Sequence, residues 1–279
     1  FLSDAMCFSG EMSFAFAAGG VALALYSYLK LSAMGGAAQR GASRFAIGVL
    51  YFVLMEALQG VSYWYIDDGS GTKCDAVNTQ LTLIGFAHIC FQPFFTHLMC
   101  GAFFHPTGTK GIMNAFTLKL SVLAGIAFFM RYVLAVHITP STYVPLDGSK
   151  CPNTEWIRAS TLTPGGSETS CTFRGTYHLA WSVPMYQPTY FSPSVFLHSF
   201  MMFAPFICLP GLQSKLFGLF LFCTGPLMAS YITSNLNEQA SIWCFFSIAQ
   251  ITGMFIGVLL MSRNSDEAPS GKRNGTKQH

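Results

Sequence analysis

Apolar stretches long enough to cross a lipid bilayer recur along this chain, and this feature constrains its fold more than any other. A membrane helix needs roughly 20 mainly apolar residues to cover about 30 Å of hydrocarbon. Segments of that kind run over Met12–Leu31, Arg44–Ile66, Thr79–Phe104, Ile112–His137, Tyr190–Leu212, Leu216–Asn235 and Glu238–Met261. Only 10% of the 279 residues are charged, against about 25% in an ordinary soluble domain. Disorder, collagen and coiled coil are excluded, because Phe alone occurs 27 times and neither a heptad nor a G-x-y period runs through the chain. A soluble nucleic-acid binder is excluded as well, since the net charge is only +3 and the basic residues are scattered.

The expected fold is therefore an all-α, polytopic membrane bundle of about seven spans, forming one domain over residues 1–262. A short element at His178–Met185 cannot span and reads as a re-entrant or interfacial piece in a long loop, Thr139–Pro188. The tail 263–279 is polar and aperiodic and is expected to be disordered. Phe1 is not an initiator Met, and no basic region precedes the first span, so no signal peptide is read.

Loop charge sets the orientation. Of the 15 Lys and Arg residues, Lys73, Arg131, Lys150, Arg158 and Arg174 fall on one side and the other ten on the opposite side. Basic loop residues concentrate in the cytoplasm, so the N-terminus is expected outside and the C-terminus in the cytosol. Of nine cysteines, Cys90, Cys100, Cys208, Cys223 and Cys244 lie in spans and read as small buried thiols. Cys7, Cys74, Cys151 and Cys171 all fall on the outer side, where an oxidising space allows two disulfides. Three pairings are open, with Cys151–Cys171 plus Cys7–Cys74 favoured.

Polar side chains inside the spans mark the candidate site, because ionisable groups are costly in a membrane. Glu56 lies ten residues, or about 15 Å, from the outer end of its helix, and Gln59 shares its face. His88 and Gln92 lie at comparable depth on the next helix. His198 enters from the same side on the fifth span, and Arg131 on the fourth. Three chemistries fit: a metal ion held by Glu56, His88 and His198, as three ligands with an open position suit a hydrolytic metal; a haem between His88 and His198; or Glu56 as an acid acting on a lipid or isoprenoid. The alternative is a hydrogen-bonded strut that fixes helix packing. His97 stands nine residues from His88, on the opposite face, and is left out. Ser194-x-x-x-His198 resembles one motif of the seven-helix hydrolases that include alkaline ceramidases, but Glu238 and Ser241 stand where that superfamily has a His pair. The seventh span has no Lys for a retinal Schiff base.

Several blocks carry a wider resemblance: Met6-Cys7-Phe8-Ser9-Gly10-Glu11, Met55-Glu56-Ala57-Leu58-Gln59, Ala87-His88-Ile89-Cys90-Phe91-Gln92-Pro93, Tyr177-His178-Leu179-Ala180-Trp181 and Ser241-Ile242-Trp243-Cys244. Together they resemble an uncharacterised family of multi-pass membrane proteins that begin Met-Cys-aromatic-Ser-x-Glu. The resemblance implies a shared fold and no particular reaction, and it adds His178 to the candidates. The expected roles are Glu56, His88 and His198 in catalysis or metal binding, with Gln59, Gln92, Arg131 and His178 contacting substrate or cofactor. Membrane lipid is the expected partner. A non-enzymatic subunit of a larger membrane complex, touching a pigment, haem or quinone, and a transporter are the alternatives.

Overall fold

The computed structural model describes residues 9–66, 75–137, 170–183, 195–233 and 235–266. The elements are α1 (Gly10–Met34), α2 (Gly36–Ser62), α3 (Ala76–Cys100), α4 (Thr109–His137), β1 (Cys171–Arg174), β2 (Leu179–Ser182), α5 (Val195–Cys208), α6 (Leu212–Phe222), α7 (Met228–Ile232) and α8 (Leu236–Asp266). Six helical stretches among the described residues are long and apolar enough to cross a membrane, with α6 and α7 joined as one through a π-helical turn at Cys223–Leu227. The protein is an integral, multi-pass membrane protein built as a helical bundle. Of the fifth expected span, Tyr190–Leu212, residues 195–212 are described, and 14 of them form α5, about 21 Å of helix.

Local chemistry sets the helix ends. Ser9 accepts a hydrogen bond from the Met12 N–H at the start of α1, and Asp75 accepts from the Asn78 N–H at the start of α3, satisfying donors that a helix cannot pair internally. Gly35 and Gly36 have φ of +74° and +56°, which lets α1 fold back on α2 through almost no loop. Successive helices pack side by side, and α8 returns to lie against α2 and α1. α2 is consequently the central helix. Leu25 and Leu29 on α1, and Phe116 and Leu123 on α4, stay exposed, as a lipid-facing surface requires.

Among the described residues three prolines lie inside helices, and each broken bond is repaired from another helix. Proline has no N–H, so the carbonyl four residues earlier loses its donor. Pro93 on α3 frees the Ile89 carbonyl, which His198 of α5 hydrogen-bonds. Pro205 on α5 frees the Met201 carbonyl, and His97 Nε2 of α3 lies 2.8 Å from it. Pro226 lies in the π turn, where the orphaned carbonyl is five residues back at Leu221, and Gln250 Nε2 of α8 donates to it at 3.1 Å. α3 and α5 thus repair each other. An unpaired carbonyl in hydrocarbon costs several kcal/mol, so these side chains fix both kink and neighbour.

One element departs from the all-α expectation. The re-entrant piece expected over His178–Met185 is instead, as far as the described residues reach, the second strand of an antiparallel hairpin. Cys171 pairs with Ser182 and Arg174 with Leu179. The strands carry Thr172, Phe173 and Trp181, with Gly175 at the turn, a hairpin signal that its short length concealed. α8 also runs to Asp266, so the first four residues of the expected disordered tail are helical.

Candidate functional site

The hairpin closes one end of the bundle and is fastened by side chains of α3 and α8. Asn78 of α3 treats Thr172 as a strand partner, accepting its N–H at 2.8 Å and donating to its carbonyl at 2.7 Å. Glu238, in the first turn of α8, accepts the N–H groups of Tyr177 at 2.5 Å and His178 at 2.6 Å through Oε1, and the Thr233 hydroxyl through Oε2. Ser241 donates to the Leu179 carbonyl. With every acceptor satisfied, Glu238 is a clamp rather than a reactive carboxylate.

The clamp aims His178 into the bundle. Its Nε2 lies 2.9 Å from Gln59 Oε1 and its Nδ1 2.7 Å from the Tyr63 hydroxyl. An amide oxygen only accepts, so Nε2 carries the proton and Nδ1 accepts from Tyr63. Burial pushes the imidazole down to about 3, which keeps it neutral in this arrangement. Gln59 is thereby held by its oxygen, while its Nε2, with two N–H donors, has no partner.

Glu56 lies one turn deeper on α2, about 4.5 Å along the axis. It is fully buried, and neither carboxyl oxygen has a hydrogen-bond partner. The adjacent Met55 packs against Trp181 and against Cys244 of α8. The facing helix α1 is lined by small residues. A methyl added at Gly10 would meet Tyr63 and Gly60, and one at Gly20 would lie 2.4 Å from Val53. That antiparallel register puts Ser13 level with Gln59–Gly60 and Ala17 level with Glu56. Ser13 is 1% exposed, and its hydroxyl also has no partner. Buried polar groups are hydrogen-bonded in more than about 90% of cases. Three unsatisfied ones at neighbouring levels of one helix pair therefore need an explanation.

The other candidates lie elsewhere. His88 stacks on the Tyr51 ring at 3.8 Å, and its Nε2 meets the Tyr51 carbonyl at 2.6 Å. Tyr51 is five residues before Glu56, about 140° round the helix at 100° per residue, so the expected meeting of Glu56 with His88 does not occur. Gln92 donates to Cys244 Sγ at 3.2 Å. His198 sits among Phe128, Trp243 and the Ile89 carbonyl, with Nε2 unpartnered. Arg131 is buried on α4 and makes no hydrogen bond to Glu56. Among the described residues no three His, Cys, Asp or Glu side chains are close enough to hold a metal ion, so Glu56, His88 and His198 do not form one ligand set. The axial His88–His198 haem likewise finds both rings anchored to carbonyls of different helices. His97 does point away from His88, as its spacing requires, but it anchors a carbonyl instead of only filling space.

Sequence reasoning missed Ser13 and Tyr63, whose hydroxyl types are too common in spans to stand out, and Glu238 as a clamp. The shared depth of Glu56 and Gln59 was recoverable beforehand, and the family resemblance supplied His178. The model of a family of unknown function, DUF5765, matches residues 11–265. The chain belongs to this family. The match begins at Glu11, after the first five residues of the Met-Cys-aromatic-Ser-x-Glu pattern, and it takes in the hairpin, Glu56, Gln59 and Ser13. No curated protein and no solved structure matches the chain significantly. The site of this family member is therefore read from its own geometry.

Proposed function

We propose that the protein is a membrane-embedded acid–base enzyme acting on a lipid or other hydrophobic substrate, with Glu56 as the proton-transferring group. The observation that carries this reading is a fully buried carboxyl with both oxygens unpartnered. A packing strut spends its acceptors, as Glu238 does, whereas a group that must meet a substrate keeps them free. Gln59, three residues along the same helix, keeps its N–H groups free, and His178 holds the Gln59 amide by its oxygen. The fastened hairpin covers the aqueous end, which favours substrates arriving through the bilayer.

The same reading takes α5 as part of a seventh span, with the N-terminus and hairpin outside and the C-terminus cytosolic. Cys171 begins β1 and is fully buried. A disulfide from it to another of the outer cysteines would tether the hairpin from the loop side; Cys7, Cys74 and Cys151 lie outside the described residues.

The test is native mass spectrometry of the protein extracted directly into lipid nanodiscs. A hydrophobic molecule bound at one per chain is expected in the wild type and absent from Glu56→Gln, with both proteins equally folded by thermal melt. Identical bound species in the two would contradict the acid–base assignment.

A further inference from the structure

The unsatisfied groups around Glu56 define which chemistry completes them. Glu56 offers at least one acceptor oxygen in either protonation state. Gln59 Nε2 offers two N–H donors, and Ser13 offers a hydroxyl that both donates and accepts. The three are buried to within 1% of full exclusion and lie at neighbouring levels of α1 and α2. A cationic head would satisfy Glu56 but oppose the N–H groups of Gln59. An anionic head would satisfy Gln59 but oppose Glu56. A hydroxyl group meets both, accepting from Gln59 and donating to Glu56, with Ser13 able to take either role.

We infer that these unpartnered groups bind the hydroxyl head of a long-chain or polycyclic alcohol whose hydrocarbon body lies in the bilayer, with Glu56 accepting a hydrogen bond from the hydroxyl and Gln59 and Ser13 fixing the oxygen. The assignment rests on the Glu56-centred reading above and adds the substrate's reacting group. Small residues on the α1 face, Gly10, Ala17 and Gly20, let α1 approach α2 closely at the level of these groups. The hairpin lines this end with apolar side chains: Leu179, Ala180 and Trp181 of β2 are buried, and Trp181 packs with Met55, next to Glu56, and with Cys244.

Ser13 supplies a test that folding does not confuse. Its hydroxyl has no partner in the protein, so Ser13→Ala removes no internal bond and should leave thermal stability unchanged or slightly raised. The probes are hexadecanol, its methyl ether and hexadecylamine, titrated into nanodiscs holding the full chain, with binding read by native mass spectrometry. Hexadecanol is expected to bind at one site, about tenfold more weakly to Ser13→Ala and more weakly still to Glu56→Gln, since one buried hydrogen bond of about 1.4 kcal/mol is tenfold in affinity. The ether, which cannot donate, should bind at least about tenfold more weakly than the alcohol.

Equal binding of ether and alcohol would show an adventitious hydrocarbon and overturn the inference. Tighter binding of the amine would make this a cation site and overturn it too. A Glu56-dependent native molecule that hexadecanol fails to displace would sink the hydroxyl assignment and leave the acid–base reading standing. No dependence on Glu56 for any probe or native molecule would remove both.

Discussion

Replacing His97 with Phe tests whether the histidines of the spans repair proline-broken carbonyls. Phe keeps a ring of similar size in a site that is 1% exposed and adjoins Phe206 at 4.9 Å, so little cavity forms. What is lost is the partner that His97 Nε2 supplies at 2.8 Å to the Met201 carbonyl. Pro205 prevents the backbone from replacing it. Interhelical hydrogen bonds in membranes are worth about 0.6 to 1.7 kcal/mol, and an orphaned buried acceptor costs about 1–3 kcal/mol. A loss of about 1–2 kcal/mol is therefore expected in the wild-type background. In a Pro205→Ala background residue 205 regains an N–H that can take the Met201 carbonyl, and the same His97→Phe change should cost under about 0.5 kcal/mol. Reversible unfolding in mixed micelles with a denaturing detergent, run on the four proteins of this cycle, reads the coupling as about 1 kcal/mol. Equal costs of His97→Phe in the two backgrounds would refute the repair mechanism and return His97 to simple packing.

Three further outcomes follow from the described contacts. His178 is held near 3 by burial against an unfolded value of about 6.5. The unfolded state therefore binds the extra proton between those values, and the stability His178 contributes is complete above about pH 6.5 and lost as pH falls toward 3, by up to about 1.4 kcal/mol per pH unit. Melting curves from pH 7 to 5 should fall less steeply for His178→Gln than for the wild type, and parallel slopes would contradict the assignment. Glu238→Gln leaves one acceptor for donors that now reach both carboxylate oxygens, a loss of about 1.5–3 kcal/mol. Amide hydrogen exchange over 171–182 should then quicken while the middle of α3 stays protected, and unchanged exchange would show that the hairpin does not depend on the clamp. Gly41→Ala puts a methyl 2.6 Å from the Ala102 carbonyl oxygen, a backbone atom that cannot swing away. Overpacking should lower stability by about 1–3 kcal/mol, and a wild-type melt would show that α2 and the turn following α3 are not in close contact there.

Span positions could be read from the chain because bilayer thickness fixes a minimum length and hydrocarbon tolerates few charges, two constraints that act on each segment alone. The shared depth of Glu56 and Gln59 followed in the same way. Which way a polar side chain faces depends on how each helix is rotated against its neighbours, and no single segment encodes that. His88 turned toward the Tyr51 carbonyl and His198 toward Ile89 for this reason, although both matched Glu56 in depth. Part of the answer was present as spacing. A proline within a span always orphans a carbonyl one turn back, so Pro93 and Pro205 called for two donors, and His198 and His97 were the available ones. The pairing itself needed three dimensions. The hairpin stayed hidden because a two-stranded ribbon of four-residue strands is too short for a periodic signal, and it forms here against Asn78, Glu238 and Ser241, residues distant in sequence.

The most direct test of the Glu56 site is a density map of the wild-type protein in native-lipid nanodiscs, at a resolution that shows ordered lipid. The expected result is a non-protein feature with a polar head within hydrogen-bonding distance of a Glu56 carboxyl oxygen and Gln59 Nε2, near Ser13, continuing as an apolar body toward the bilayer. A map in which Glu56, Gln59 and Ser13 close on one another, with no feature between α1 and α2, would contradict the account.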